Sequence, residues 1–278
     1  VRAKDLGEPL VPPENGYNPR GMKIATFNAA GVRARLDRVV EWLAANEPDV
    51  LAIQETKVED AKFPRGPFEE LGYELSYHGQ KSWNGVAVVS RLPISNARFG
   101  FGDELMPSDA RILACEIGGV TVINTYVPNG SAVGSEKFAY KLRWLERFRL
   151  YLNQNFRPDE PLVWLGDINI APTPDDVYDS RRMLGGVGHH PDEFARLAQI
   201  VEFGLTDLFR LHTSGPGHFT YWDFVIPRSV DRNLGWRIDH IYATEPMARH
   251  CTGVTIDLPA RKMEKPSDHT FVTATFDL

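Results

Sequence analysis

Short apolar runs, some alternating with polar residues and some continuous, recur along the chain between clusters of Gly, Pro, Asn and Asp. They fall at residues 23–27, 50–54, 73–78, 85–90, 113–117, 120–126, 162–165, 236–243, 251–256 and 271–276, and each has the length and composition of a strand. Helical spacing is rarer. Leu36, Val39, Val40 and Leu43 predict a helix over 33–46; Phe138, Leu142, Leu145 and Leu152 predict one over 136–154; Phe194, Leu197, Ile200 and Val201 predict one over 192–203. Gly118-Gly119 between two strand-like runs is a hairpin signal, so antiparallel pairing is present and the sheets are mixed rather than wholly parallel. Many strands with few helices pack most economically as two sheets face to face with helices outside, an α/β (α+β) arrangement.

No composition shift divides residues 22–278, which read as a single domain; residues 1–21, rich in Pro, Gly and Asn ahead of Met22, read as a poorly ordered extension. A hydrophobic content of 42% provides for a sizeable core and excludes a disordered chain. The formal charge of −6 excludes an indiscriminate polyanion binder, although Arg33, Arg35, Lys57, Lys81 and Lys265 leave room for a local basic track. Two cysteines, Cys115 and Cys251, both in apolar runs, supply neither a disulfide framework nor a thiolate metal cage. With no secretory pattern and no apolar run near the ~18 residues of a membrane span, the expectation is a cytoplasmic, intracellular protein with no membrane partner, acting as a monomer.

The chemistry lies where strand-like runs meet polar residues. Asn28 follows one run, Gln54-Glu55 another, and Gly166-Asp167-Ile168-Asn169 a third, while Asp268-His269 immediately precedes the last. In mixed sheets, residues after some strands and before others converge on one edge, which gathers these positions into a dispersed site. Several familiar sites are missing: there is no nucleophile elbow and no phosphate loop, and Gly185-Gly186-Val187-Gly188 lacks a preceding strand. The adjacent His189-His190 point different ways and read as loop polarity.

What remains is a set of hard oxygen and amide groups with one imidazole, which suits Mg²⁺ or Mn²⁺ better than zinc. That combination points to phosphate. Glu55 and Asp268 are placed to hold a metal, Asp167 to orient and deprotonate water, and His269 to donate hydrogen bonds to phosphoryl oxygens. Asp239, charged inside an apolar run, is the candidate partner that fixes the His269 tautomer, and Tyr126, ending the run at 120–126 just before Pro128, is either a phosphate contact through its hydroxyl or a packing residue.

Seven stretches taken in order resemble the exonuclease III family of abasic (AP) endonucleases, within the endonuclease/exonuclease/phosphatase superfamily. They are Phe27-Asn28, Pro48 through Lys57, Asn84-Gly85-Val86, Tyr126-Val127-Pro128, Gly166 through Pro172, Trp236-Arg237-Ile238-Asp239 and Lys265 through His269. The resemblance implies a four-layer α/β sandwich and metal-dependent cleavage 5′ to abasic sites in double-stranded DNA, with 3′-5′ exonuclease and 3′-phosphatase or phosphodiesterase activity at blocked 3′ ends. It implies Glu55 as the principal metal ligand with Asp268 and Asn28 near it, and Asp167 as the residue that handles the water. Asn169 and Tyr126 then contact the scissile phosphate, and His269 with Asp239 stabilises it. Tyr221, Trp236 and Ile238 line the pocket for the flipped-out sugar, and Trp83 and Asn129 touch the DNA backbone. Two positions depart from the pattern: Ala30 stands where the family usually carries Asp or Asn, and Gly130-Ser131-Ala132 stands where some relatives insert an Arg. A phosphoesterase of inositol phosphates or phospholipids, and a non-catalytic nucleic-acid-binding module, are the alternatives; the Tyr221-Trp222 and Trp236 aromatics weigh against the first, and the five-residue set Glu55, Asp167, Asn169, Asp239 and His269 against the second.

Overall fold

The computed structural model describes residues 21–103, 105–107 and 109–278; the proposed extension at 1–21 lies, but for Gly21, outside them. Among the described residues, twelve strands form two sheets of six. They are β1 (Met22–Asn28), β2 (Val50–Gln54), β3 (Glu74–His78), β4 (Val86–Ser90), β5 (Ile94–Phe99), β6 (Ile112–Ile117), β7 (Val120–Tyr126), β8 (Leu162–Asp167), β9 (Leu205–Asp207), β10 (Asp239–Thr244), β11 (Cys251–Ile256) and β12 (Val272–Phe276). The first sheet runs β11-β12-β1-β2-β4-β3 and the second β5-β6-β7-β8-β10-β9. Each is built around one parallel pair, β1 with β2 and β7 with β8, flanked by antiparallel neighbours. That shared pattern positions the site. The parallel strands end at one edge, with Asn28 beside Gln54 and Tyr126 beside Asp167, and the antiparallel partners β10 and β12 begin at the same edge, with Asp239 opposite Asp167.

Successive side chains on a strand face opposite ways, and here both faces are covered, which is why the central strands are almost continuously apolar. Ile24, Val50, Ala52 and Val88 of one sheet meet Leu113, Val122, Val163 and Ile241 of the other in the central core. On the outer face of the first sheet, Ala25, Phe27, Leu51 and Val89 pack under helix α1 (Leu36–Asn46) through Val39, Trp42 and Leu43, with Phe271 stacked between Phe27 and Trp42 at 3.9 Å from each ring. Outside the second sheet, helices α2 (Glu136–Asn155) and α3 (Pro191–Val201) bury Trp144, Phe148, Leu197 and Ile200 against Ile123, Trp164 and Tyr242. The four layers are those expected from the residues.

The hairpin at Gly118-Gly119 is present, with Ile117 paired to Val120 and φ of 57° and 81° at the two glycines, the positive values that this tight turn demands. Two elements begin later than the sequence reading has them, and two strands are added. The helix expected at 33–46 breaks at Arg35, whose backbone is not helical, so a short turn at Val32–Ala34 precedes α1. The run at 236–243 enters its sheet only at Asp239, because Trp236 pairs instead with Tyr221 and Val177. Strands β5 and β9 were not anticipated: one is a largely exposed edge, the other three residues long. His189 is buried between Ser180 Oγ and the Ala171 carbonyl, and His190 caps α3, so neither makes a metal site with the other. No helix among the described residues is long and apolar enough to cross a membrane.

Candidate active site

Asn28 is the link between the sheets. Fully buried at the end of β1, its amide nitrogen donates to Glu55 Oε1 and to Asp167 Oδ2, both at 2.8 Å, while its Oδ1 accepts from the Ala30 N–H at 2.9 Å. With its oxygen engaged and its nitrogen between two carboxylates, Asn28 aligns the acids rather than presenting a ligand oxygen. Ser267 closes the C-terminal loop over the same strand by donating to the Asn28 carbonyl at 2.8 Å. Ala30 takes a left-handed backbone (φ 46°), a conformation Asn and Asp adopt more readily than Ala.

Glu55 leaves β2 with φ of 49°, turning its carboxylate into the cavity, where Oε2 lies 2.6 Å from the Lys57 ammonium. Burial disfavours its charge, yet the hydrogen bonds from Lys57 and Asn28 hold Glu55 below its usual value. Asp167 is in the opposite position. Burial, together with Asp239 and Glu55 nearby, pushes it up to about 8 against the opposing pull of His269 and Asn28. His269 Nδ1 bonds Asp239 Oδ2 at 2.8 Å and its Nε2 lies 3.8 Å from Asp167 Oδ2. Burial alone would keep this imidazole neutral, but Asp239 and Asp167 raise it to about 10, so the ring is cationic. Asp239 Oδ1 has no donor among the described residues, which leaves that carboxylate committed to His269.

The ligand atoms of Glu55, Asp167 and His269 lie within 4.8 Å of one another. Three carboxylates, Glu55, Asp167 and Asp239, share this buried setting with two cationic groups, Lys57 and His269; the upward shift of Asp167 marks the remaining deficit, and a divalent cation bound through oxygen fits it. Asp268 does not join the cluster. Backbone-adjacent to His269, it faces the rim, where its Oδ1 accepts from Ser267 Oγ at 3.2 Å, and it still lines the cavity. Asn169, with φ of 54°, donates from its amide to the Val127 carbonyl at 2.9 Å and accepts from the Asn129 amide at 3.1 Å, so both asparagines reach the cavity as a joined pair. Tyr126 stands over Glu55 with its hydroxyl kept protonated by burial and the neighbouring acids.

These groups line a cavity of about 410 Å³ together with an apolar set, Tyr221, Trp236 and Ile238, joined by Met183, Val187 and Leu234; the Tyr221 ring lies 4.9 Å from that of His269, where the two sets meet. Trp83 is elsewhere, 70% exposed on the loop before β4 and away from the cavity lining. Two features escaped the sequence reading. Arg111 lies 4.8 Å over the Tyr126 ring and donates to the Tyr126 carbonyl. Gln54, read there as part of the polar cluster, is instead a buried clamp between the sheets, donating to Thr26 Oγ1 and to Asn124 Oδ1 while Asn124 donates to the Ile53 and Ala87 carbonyls.

Residues 25–269 match the endonuclease/exonuclease/phosphatase family. Exodeoxyribonuclease III of Haemophilus influenzae is 35% identical over 92% of this chain and 100% of its own length. This chain belongs to the exonuclease III family. An AP endonuclease from Archaeoglobus fulgidus superposes with a TM-score of 0.90 at 40% identity, covering 92% of this chain and all of that one. A 3′-5′ exonuclease from Neisseria meningitidis superposes with a TM-score of 0.89 at 37% identity over the same shares. Membership makes the chain a DNA-repair nuclease of exonuclease III type, and the acid, amide and imidazole groups described above are its candidate catalytic set.

Proposed function

We propose that this exonuclease III family member hydrolyses the phosphodiester on the 5′ side of abasic sites in duplex DNA and trims blocked 3′ ends, using Mg²⁺ or Mn²⁺. The observation that carries this reading is one cavity lined both by the charged and amide groups and by an aromatic, apolar cluster. A deoxyribose without its base is uncharged and largely apolar, its 5′ phosphate is not, and flipping it out of the stack costs less than flipping an intact nucleotide. The relatives support the same reading, since one is an AP endonuclease, one a 3′-5′ exonuclease, and one a Neisseria 3′ phosphatase bound to a product DNA hairpin.

Asp167 is the proton acceptor for the attacking water: burial and the neighbouring Asp239 and Glu55 raise its affinity for a proton, as a general base requires. The cationic His269, oriented by Asp239, faces the phosphoryl oxygens as charge builds on them, and Tyr126, Asn169 and Asn129 donate to the same group. Glu55, with Asp268 at the rim, would hold the divalent ion, which when bound supplies neutralising charge to the phosphate and the departing oxygen. Asn28 sets the distance between Glu55 and Asp167. Trp83, exposed on the loop before β4, packs on the DNA backbone outside the cavity. All these groups come from one chain, so a monomer suffices.

The test is incubation with a duplex oligonucleotide carrying a single abasic analogue, with Mg²⁺ or with chelator. Metal-dependent incision 5′ to the lesion is expected. Neither incision nor 3′ trimming in Mg²⁺ or Mn²⁺ would sink the reading.

A further inference from the structure

Behind the phosphate-contacting asparagines lies an ion pair that the chemistry above does not use. Lys141 of α2 and Glu193 in the first turn of α3 both have fully buried side chains, with Nζ 2.5 Å from Glu193 Oε1. The ammonium also donates to the Asn169 carbonyl at 2.7 Å and to the Asn129 carbonyl at 3.2 Å. Glu193 Oε2 accepts from the Gly188 N–H at 2.8 Å and the His190 N–H at 3.2 Å. Three loops thus meet on one pair of charges: the loop after β7 with Asn129, the loop after β8 with Asn169, and the 185–190 loop that walls the cavity.

The packing leaves these loops little freedom. Gly188, with φ of 84°, lies so close to Trp236 that a Cβ there would sit 3.2 Å from the indole, and its carbonyl accepts from the Ala171 N–H at 2.7 Å. A Cβ on Gly130 would likewise sit 3.2 Å from the Lys141 stem. Replacing a buried ion pair by apolar side chains of similar volume is often neutral or stabilising, so stability alone gives no reason to place one here. The reason lies in what the two charges hold.

We propose that the Lys141–Glu193 pair is a positioning device for the reaction: its ammonium pins Asn129 and Asn169 on the phosphate side, and its carboxylate pins Gly188 against Trp236 on the sugar side. The asparagines and the Trp236 wall of the cavity are thereby held at one spacing. A displacement of about 1 Å at a distance from the reacting atoms can cost about a hundredfold in rate, so the pair acts on kcat without touching substrate. The proposal rests on the reading of Asn129 and Asn169 as phosphate contacts.

The experiment compares the parent enzyme with Lys141→Met/Glu193→Gln, which removes both charges together, and with Asn169→Ala alone and in the double-variant background. Incision of an abasic duplex in Mg²⁺ is followed beside thermal melting. For the folded double variant, kcat should fall about a hundredfold while KM changes less than threefold, and Asn169→Ala should cost far less in that background than in the parent, because the contact is already misplaced. A double variant within threefold of the parent kcat, with Asn169→Ala still damaging alone, overturns the positioning role and leaves the proposed function standing. An Asn169→Ala enzyme that retains kcat overturns the phosphate-contact reading beneath both. Should the double variant fail to fold, Glu193→Gln keeps the side-chain volume and decides in its place: a kcat loss at constant KM supports the proposal, and parental kcat overturns it.

Discussion

Replacing Asp239 by Asn removes the charge that keeps His269 protonated while leaving a side chain of the same shape. The Asp239 carboxylate is 2.8 Å from His269 Nδ1, and both groups are buried. With the two charge centres about 4 Å apart and an effective dielectric constant of about 20, their attraction is about 4 kcal/mol, or roughly a thousandfold in the protonation equilibrium. His269, raised to about 10 in the parent, therefore falls to near neutrality in the variant. The sign follows from the direction of the shift. In the parent the imidazolium persists through the working range and is lost only as pH rises toward about 10, whereas in Asp239→Asn it is lost as pH rises through neutrality.

At pH 8 the variant should be slower by roughly 10²- to 10³-fold, the cost of losing one preorganised donor of positive charge at the phosphoryl group. Its kcat should recover partly as pH falls toward 6. Measuring kcat at saturating Mg²⁺ between pH 6 and 9 for both enzymes decides the matter. A bound divalent ion acts on His269 in both, so the comparison reads the effect of Asp239. A variant within threefold of the parent at pH 8, or one with the same pH profile, refutes the claim that a charged His269 is used.

Four further outcomes follow from the same geometry. Asp167→Asn should abolish turnover while leaving the affinity for abasic duplex largely intact, as read by gel shift; residual turnover above a hundredth of the parent would place the water-activating group elsewhere. Trp83→Ala should leave the melting temperature unchanged, because the ring is 70% exposed, yet weaken duplex binding about tenfold in fluorescence anisotropy. Gly166→Ala should destabilise by about 3 kcal/mol in denaturant unfolding, since φ is 138° and the added Cβ would lie 2.0 Å from the Thr125 carbonyl oxygen immediately before Asp167. Burial opposes the charge of Asp207, but Arg237 and His240 hold it well below the usual carboxylate range, so its stabilisation is present above about pH 4 and fades as pH falls further. Asp207→Asn should accordingly cost about 3 kcal/mol at neutral pH and flatten the acid limb of stability against pH.

The charged half of the site was legible because Glu55, Asp167, Asp239 and His269 are ionisable residues set at the ends of, or inside, otherwise apolar runs, where burial needs a compensating partner. The strands were legible for a related reason: with both faces covered, β1, β2, β4 and β8 could only be apolar. Strand β5 lacks that constraint. Its residues are mostly exposed, and its register slips between Ser95 and Arg98 at a left-handed Asn96, so no alternation survives to be read. Partners distant in sequence were equally hidden. Nothing near Lys141 announces Glu193, and nothing near Arg237 announces Asp176 and Asp207, although the bonds at 2.6 and 2.8 Å that Arg237 makes to them anchor the segment carrying Trp236, Ile238 and Asp239.

Asp268 and Asn28 illustrate a different limit. The sequence places Asp268 with Glu55 on the metal side, but the cluster that forms is Glu55, Asp167 and His269: His269 turns inward to Asp239, while Asp268, in the bend before it, lines the cavity and accepts from Ser267 Oγ. Asn28 has the right place and the other atom: its nitrogen lies between Glu55 and Asp167, since an amide oxygen there would meet two acceptors with no hydrogen to share. The position of a polar residue at a strand end is therefore set by the strand, whereas the atom it presents is set by what the opposite sheet brings to meet it. In this fold the opposite sheet brings Asp167, and the cavity between them can act on phosphate because Asn28 holds two acids together that would otherwise repel.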